Sequence, residues 1–405
     1  MSPIALTPLL FALLLSYAVV NLLTCIPRRI GLNLTFVFFC LFALAASLFT
    51  TLPDGKVFIT IVFTLIGLLA GWGLATQLFM QQPDPRKLPQ LVRDPGNPGN
   101  GHTAVVYFAH GEPEDYNPIG WINQFREFDQ HKIRFIPFFL RPVFLYKLRQ
   151  KYLHSGGSDH AGMHQKMIDM LEQSFRSHGD TATRFYLSFL DDEPRPDAAV
   201  IQALNDGASR IVVAVVFLTV SNHTAEGEEQ IKKLEVEKYG VPLDFTGPLW
   251  DSATLMDVFV KRADANLDGT PREKVGILLV GHGQPDEWDH EFPTETDHEN
   301  QFRQGICDRL VQAGYLRENI AMAWMEFKDP RPTAAVEIFH QKGLEKVLYF
   351  PTAISADAIH SVADIPELVG KAKVPASFPR LNMGAWNDDP QVIQAIKEKI
   401  DTVIP

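Results

Sequence analysis

Apolar residues are laid out along this 405-residue chain in two different patterns. Residues 7–25, 31–51 and 57–80 are near-continuous apolar runs, and a helix crossing a hydrocarbon core needs roughly 20 such residues. Ile26-Pro27-Arg28-Arg29 and Pro53-Asp54-Gly55-Lys56 separate the runs, and none carries the amphipathic stripe of a buried core helix. The pattern predicts a membrane anchor of three transmembrane helices over residues 1–80. Met1 to Leu6 holds no positive charge and two further runs follow the first, so no secretory signal peptide is expected. Arg28 and Arg29 in the first loop, with Arg86, Lys87 and Arg93 after the third run, assign those segments to the cytoplasmic side. The expectation is an integral, multi-pass membrane protein with a cytoplasmic body. Gly67, Gly71 and Gly73 offer a small-residue face through which two copies could pair as a homodimer.

Residues 81–100, with Pro83, Pro85, Pro89, Pro95 and Pro98, read as a linker. Beyond it, short apolar runs alternate with stretches of helical spacing. Strands are predicted at 103–109, 133–139, 183–189 and 211–220, then at 274–280, 320–325 and 347–350. Helices are predicted at 163–176, 197–206, 300–312 and 332–341. Near-continuous apolar strands between helices are the mark of parallel sheets covered on both faces. The predicted fold class is therefore α/β: two duplicated Rossmann-like domains with parallel sheets, 101–265 and 266–405, behind three transmembrane helices.

The duplication is written in the sequence. Pro194-Arg195-Pro196-Asp197-Ala198-Ala199-Val200 returns as Pro330-Arg331-Pro332-Thr333-Ala334-Ala335-Val336. Each copy is followed by a helical stretch, a glycine (Gly207, Gly343), an apolar run, and a loop with one histidine, His223 or His360. Upstream, an apolar strand runs into His-Gly-x-Pro, at His110-Gly111-Glu112-Pro113 and at His282-Gly283-Gln284-Pro285. All four histidines fall at the C-terminal ends of predicted strands, where parallel sheets bind ligands. A cleft lined by imidazoles is the expected site.

Charge and motifs narrow the chemistry. Residues 1–80 carry Arg28, Arg29 and Lys56 against Asp54, a net +2, leaving −13 for the rest of a chain whose total is −11. That balance argues against nucleic acid as a partner. Cys25, Cys40 and Cys307 are far apart and encode neither a disulfide framework nor an iron–sulfur cluster. The glycine-rich phosphate loop, the dinucleotide fingerprint and the serine-hydrolase elbow are all missing.

His282 leads the candidates, since it leaves a buried-type strand just before a glycine. It precedes an acidic run, Asp286, Glu287, Asp289, His290, Glu291, Glu295, Asp297 and His298, which reads either as a cation-attracting path or as a solvated loop. His360 and Asp364 stand at i and i+4, one helical turn apart, so the carboxylate can orient the imidazole or ligate beside it. Neutral imidazoles ligate iron, cobalt, nickel or zinc, and two of them backed by acids suit a transient metal rather than a structural zinc. His110 and His223 are either a second metal site or relics of duplication that hold loops. The remaining seven histidines, apart from His290 and His298, are assigned to the surface or to satisfied core positions.

From Thr103 onward the chain resembles ferrochelatase and its relatives, the cobalt and sirohydrochlorin chelatases. The resemblance is carried by Gly111-Glu112-Pro113-Glu114, Tyr152-Leu153-His154-Ser155-Gly156-Gly157-Ser158, Gly281-His282-Gly283-Gln284-Pro285 with Glu291-Phe292-Pro293, and Pro351-Thr352-Ala353-Ile354-Ser355 with Asp357. It implies a metal chelatase with no permanently bound cofactor, whose partners are a tetrapyrrole and a divalent ion, Fe2+ or Co2+, taken as substrate. It also implies His282 as proton acceptor or metal ligand, with His360 and Asp364 completing the catalytic and metal set. His360 stands where ferrochelatases carry glutamate, and His360 to Pro366 is similar to the His-x-x-x-Asp-Ile-Pro run of the cobalt and sirohydrochlorin enzymes. Fe2+ insertion into a porphyrin of haem biosynthesis is the leading expectation. Sirohydrochlorin metallation is the alternative, and a non-catalytic tetrapyrrole- or metal-binding membrane protein a third.

Overall fold

The computed structural model describes residues 3–51, 57–83, 86–133 and 135–404; the Pro53-Asp54-Gly55-Lys56 loop, Pro85 and Arg134 lie outside them. The chain divides into two compact units, one formed by Met1–Arg86 with Asp115–Gly157, the other by Lys87–Glu114 with Ser158–Pro405.

In the first unit the three apolar runs become α1 (Pro3–Thr24), α2 (Ile30–Thr51) and α3 (Val57–Met80). All three are long and apolar enough to cross a membrane. Helix α1 packs against both others. Gly67 and Gly71 lie so close to it that a Cβ on either would stand 2.4 Å from the carbonyl oxygen of Leu9 or Leu13. The glycine face expected to pair two copies is thus occupied within the chain, because only a residue without Cβ lets these two backbones approach. Helices α4 (Gly120–Gln130) and α5 (Arg141–Ser155) complete the unit. Residues 133–139 were expected as a strand and form none among the described residues; Phe138–Leu140 is one 3-10 turn leading into α5. Its aromatic side chains mimic a strand's apolar pattern but pack beside α3 instead of pairing.

The second unit holds two four-stranded sheets. The first contains β1 (His102–Ala109), β2 (Arg184–Phe189), β3 (Ala208–Val215) and β4 (Leu243–Phe245) in the order β2-β1-β3-β4. The second contains β5 (Val275–Gly281), β6 (Ile320–Trp324), β7 (Lys346–Pro351) and β8 (Arg380–Asn382) in the order β6-β5-β7-β8. Every pairing is parallel, and the two orders are the same topology repeated. Around the sheets run α6 (His160–Ser177), α7 (Pro196–Asn205), α8 (Asn222–Lys232), α9 (Ala253–Ala265), α10 (Asp286–Glu291), α11 (Pro293–Gln312), α12 (Pro332–Gln341), α13 (Ile365–Gly370) and α14 (Pro390–Asp401).

Strand periodicity explains why the sheets are apolar on both faces. Val105, Tyr107 and Ala109 of β1 enter one core, while Ala104, Val106 and Phe108 enter another on the opposite face. Likewise Val275, Ile277 and Leu279 of β5 face the first core, and Leu278 and Val280 a third. The first core is therefore shared by both halves and fuses them. The repeated Pro-Arg-Pro places its second proline in the first turn of α7 and of α12, where a missing N–H costs nothing. Gly207 and Gly343 follow with φ of +87° and +73°, the left-handed geometry that ends a helix. Part of the 81–100 segment lies along the end of α7: Val92 N donates to Asn205 Oδ1 at 2.9 Å and Asn100 N to the Gly207 carbonyl at 2.6 Å.

Candidate functional site

The central strands of each sheet deliver its two histidines. His110 and His282 directly follow β1 and β5; His223 and His360 lie beyond β3 and β7, the strands paired with them. His282 and His360 stand with ring centroids 5.5 Å apart at 74°. His110 and His223 form a second pair at 4.9 Å, also at 74°. His223 lies in the first turn of α8, which Ser221 and Thr224 cap reciprocally, rather than in an irregular loop.

His282 is fixed from both sides. The buried carboxylate of Glu299 accepts hydrogen bonds from the backbone N–H groups of His282, at 2.9 Å, and Gly283, at 3.3 Å. A Cβ at residue 281 would stand 2.3 Å from Glu299 Oε2, so the strand must end on glycine for this clamp to form. Arg303, fully buried, holds the clamp's far side: its guanidinium donates to the Ala323 carbonyl at 2.8 Å and lies 3.8 Å over the Trp324 ring. His282 Nδ1 contacts the Gly283 carbonyl at 2.6 Å. A carbonyl only accepts, so Nδ1 carries the proton and Nε2 keeps the lone pair. His110 repeats the arrangement with the Gly111 carbonyl at 3.0 Å, and its Nε2 lies 3.6 Å from Asp191.

His360 begins a π-turn, His360–Asp364, and the i, i+4 spacing brings Nδ1 to 2.7 Å from Asp364 Oδ2. Asp364 therefore sits behind the ring and leaves Nε2 as the nitrogen free to act. Two further acids surround the pair. Glu112 Oε1 accepts the backbone N–H of Ile359 at 2.9 Å, tying the His360 loop to the segment after β1. Glu326, just past β6, lies near enough to bias both imidazoles toward their protonated forms.

The two rings are driven apart in basicity. Burial lowers the pKa of His282, and the neighbouring His360 lowers it further. For His360 burial also acts downward, but the hydrogen bond and charge of Asp364, with Glu326 and Glu112, outweigh it and push the value up to about 9. At neutral pH the site thus holds one neutral imidazole beside one imidazolium, the pairing of acceptor and donor that acid–base chemistry needs. His223 is held well below the ordinary range by burial and by the charges of His110 and His282.

A sequence profile of the ferrochelatase family matches residues 102–403. The chain belongs to the ferrochelatase family. It is accordingly a metal chelatase, of the class that inserts a divalent ion into a tetrapyrrole. Among solved structures, SirB from Bacillus subtilis with Fe3+ is 16% identical, with 74% of this chain and 94% of that one covered at a TM-score of 0.47. DR2241 from Deinococcus radiodurans is 14% identical over 74% and 55%, at 0.48. CbiX, described as the terminal enzyme for biosynthesis of siroheme in denitrifying bacteria, is 13% identical over 75% and 100%, at 0.40. A comparison with curated protein sequences finds no match.

Next to the candidate site lie residues that sequence patterns did not single out. His160 and His164, assigned above to surface or satisfied core positions, are buried beside Phe189. His164 is satisfied, with Tyr107 Oη 2.9 Å from Nδ1 and Ser355 Oγ 3.2 Å from Nε2. His160 is satisfied on one side only: Nδ1 donates to the Ala356 carbonyl at 3.1 Å, while Nε2 has no partner among the described residues. Their i, i+4 spacing just after the Gly156-Gly157-Ser158 motif was the available signal. The acidic run is divided rather than continuous. Asp289 is bound by Gln284, Thr296 and Lys328, Glu295 is buried with its pKa driven well up, and His298 stacks on Trp250 at 4.3 Å. Asp286 faces solvent at 92% exposure. Among the described residues no group of three or more His, Cys, Asp and Glu side chains is gathered as a metal cage.

Proposed function

We propose that the protein is a membrane-anchored ferrochelatase that inserts Fe2+ into a porphyrin at the His282–His360 pair. The observation that carries the reading is that pair: two imidazoles 5.5 Å apart, each with Nδ1 engaged, one biased neutral and one biased protonated. A free-base porphyrin gives up two pyrrole protons as it takes the dication, so the site must accept protons and present a partly dehydrated ion. Neutral His282 is the proton acceptor, through Nε2. His360 passes its Nε2 proton to solvent as the dication competes for that nitrogen, and His282 hands the first pyrrole proton to solvent before accepting the second. Two pyrrole protons thus leave for each dication taken up, while Asp364 holds the His360 ring oriented. Glu326 and Glu112 provide negative charge that favours the ion's approach. The ion is a substrate, and no resident cofactor is required.

Three apolar helices joined to an α/β chelatase body suit a porphyrin, which partitions into bilayers, and the basic residues flanking the first and third helices favour a cytoplasmic body. The His360-x-x-x-Asp364 pair and the second imidazole pair, His110–His223, favour the alternative substrate, sirohydrochlorin with Co2+ or Fe2+. Anaerobic metallation read by absorbance separates the two, offering protoporphyrin and sirohydrochlorin with Fe2+ and with Co2+. Turnover of protoporphyrin with Fe2+, lost in His282→Ala, is the expected result. Turnover of sirohydrochlorin alone would replace the porphyrin reading. Tight binding without turnover of either would leave a tetrapyrrole carrier.

A further inference from the structure

The Asp115–Gly157 insertion is layered along the axes of the apolar helices it joins. Its polar groups gather at their C-terminal ends. Arg149 donates to the carbonyls of Leu22 and Cys25, both at 2.8 Å, at the end of α1. Arg126 donates to the carbonyls of Met80 and Gln82, at 2.9 and 2.8 Å, at the end of α3. Cations are favoured at these helix ends. The insertion's apolar turn lies deeper. Trp72 Nε1 donates to the Phe139 carbonyl at 2.9 Å, and a methyl group built on Gly73 would stand 3.5 Å from Phe139 Cε1.

Helix geometry converts these contacts into depth. Trp72 precedes Met80 by two turns, roughly 12 Å at about 1.5 Å per residue. The whole of α3 spans roughly 36 Å against a hydrocarbon core of about 30 Å, so a centred helix leaves Trp72 roughly 9 Å inside the boundary. Helix α5 connects the two levels: it begins directly after the turn held at Trp72, and Arg149, eight residues into it, reaches the carbonyls at the end of α1.

The residues at that depth have bilayer chemistry. From 135 to 146 the only charged residue is Arg141. It is buried, paired with Asp129, and placed 5.0 and 5.7 Å over the rings of Phe125 and Phe138. Phe135, Phe139, Leu140 and Tyr146 are exposed. Two of the turn's backbone groups are bonded within the protein: the Phe139 carbonyl accepts from Trp72 Nε1, and the Leu140 N–H donates to the Pro137 carbonyl at 2.8 Å.

We infer that Phe138–Leu140 and the start of α5, Arg141 to Tyr146, form a re-entrant element seated among the acyl chains of the leaflet that holds the end of α3. The inference rests on the proposed membrane anchoring. Nitroxide labels test it in the full-length protein with Cys25→Ser, Cys40→Ala and Cys307→Ala, reconstituted into phosphatidylcholine–phosphatidylglycerol vesicles. Labels go at Phe139→Cys and Leu140→Cys, at Leu69→Cys, exposed midway along α3, and at Gln341→Cys on the exposed end of α12. Phe135→Cys and Tyr146→Cys repeat the reading should either turn variant lose metallation activity. Collisions with oxygen should exceed those with an aqueous nickel chelate at 139, 140 and 69, and the order should reverse at 341. An aqueous signature at 139 and 140 with Leu69 in lipid would overturn the re-entrant element and leave the anchor standing. An aqueous signature at Leu69 would remove the anchor and the inference together.

Discussion

His160 makes the protein's stability sensitive to acid, because its ring is buried in the neutral form. The ring is 3% exposed, and burial, reinforced by the charge of His110, lowers its pKa to about 4, against about 6.5 in an unfolded chain. The unfolded chain therefore takes up the proton first as pH falls. The stability that neutral His160 preserves is complete above about pH 6.5 and drains away down to about pH 4. Between pH 7 and 4.5 the loss from this one group is about 2 kcal/mol, at about 1.4 kcal/mol per pKa unit. Spread over a body of roughly 300 residues at about 2.1 cal/mol/K each, it lowers the thermal midpoint by about 3–4 °C. In His160→Gln the amide can still donate to the Ala356 carbonyl, but nothing titrates there. The assay is the thermal midpoint of the detergent-solubilised protein at both pH values for wild type and variant. His223 and the carboxylates titrate in both proteins and cancel in the difference, whereas His164, whose pKa the adjacent His160 charge helps to lower, is released upward in the variant and adds to the difference in the same direction. The variant should lose about 3–4 °C less than wild type on acidification; equal losses would refute the argument.

Asp364→Asn removes the anion that raises the His360 pKa, so any limb of the pH–rate profile centred near 9 should move down by about one unit or more, with His282 still in place. Glu299→Gln leaves one acceptor where two N–H groups are now held, costing about 1–2 kcal/mol and loosening His282. Metallation should fall at least tenfold under conditions where the variant remains folded, and an unchanged rate would show that the clamp does not position the ring. Gly71→Leu drives a side chain into the α1 backbone and should destabilise the helices by about 1–3 kcal/mol or more, seen as a lower thermal midpoint in detergent. Gly31→Leu, with open space at its Cβ, should leave the midpoint unchanged.

The sequence alone determined what depends on local pattern. Runs of 20 or so apolar residues can only be long apolar helices. The buried strands β1, β5 and β7 were legible because both of their faces are apolar, and α7 and α12 because a proline opens each and a glycine closes it. The repeat and its four histidines at strand ends followed from order along the chain, as did the contact between His360 and Asp364, set by one turn of helix. Tertiary structure decided the rest. Strands β4 and β8 have three residues each, too few to show a period, and exist because a neighbouring strand offers a free edge. His160 and His164 are defined by partners 196 and 191 residues away, and Glu326 reaches the imidazoles only because β6 pairs with β5. Residues 133–139 have a strand's composition, yet their surroundings gave them α3 to pack on and no strand to pair with. Gly67 and Gly71 announced a close helix contact, but which backbone fills it was settled by the packing of α1 in three dimensions.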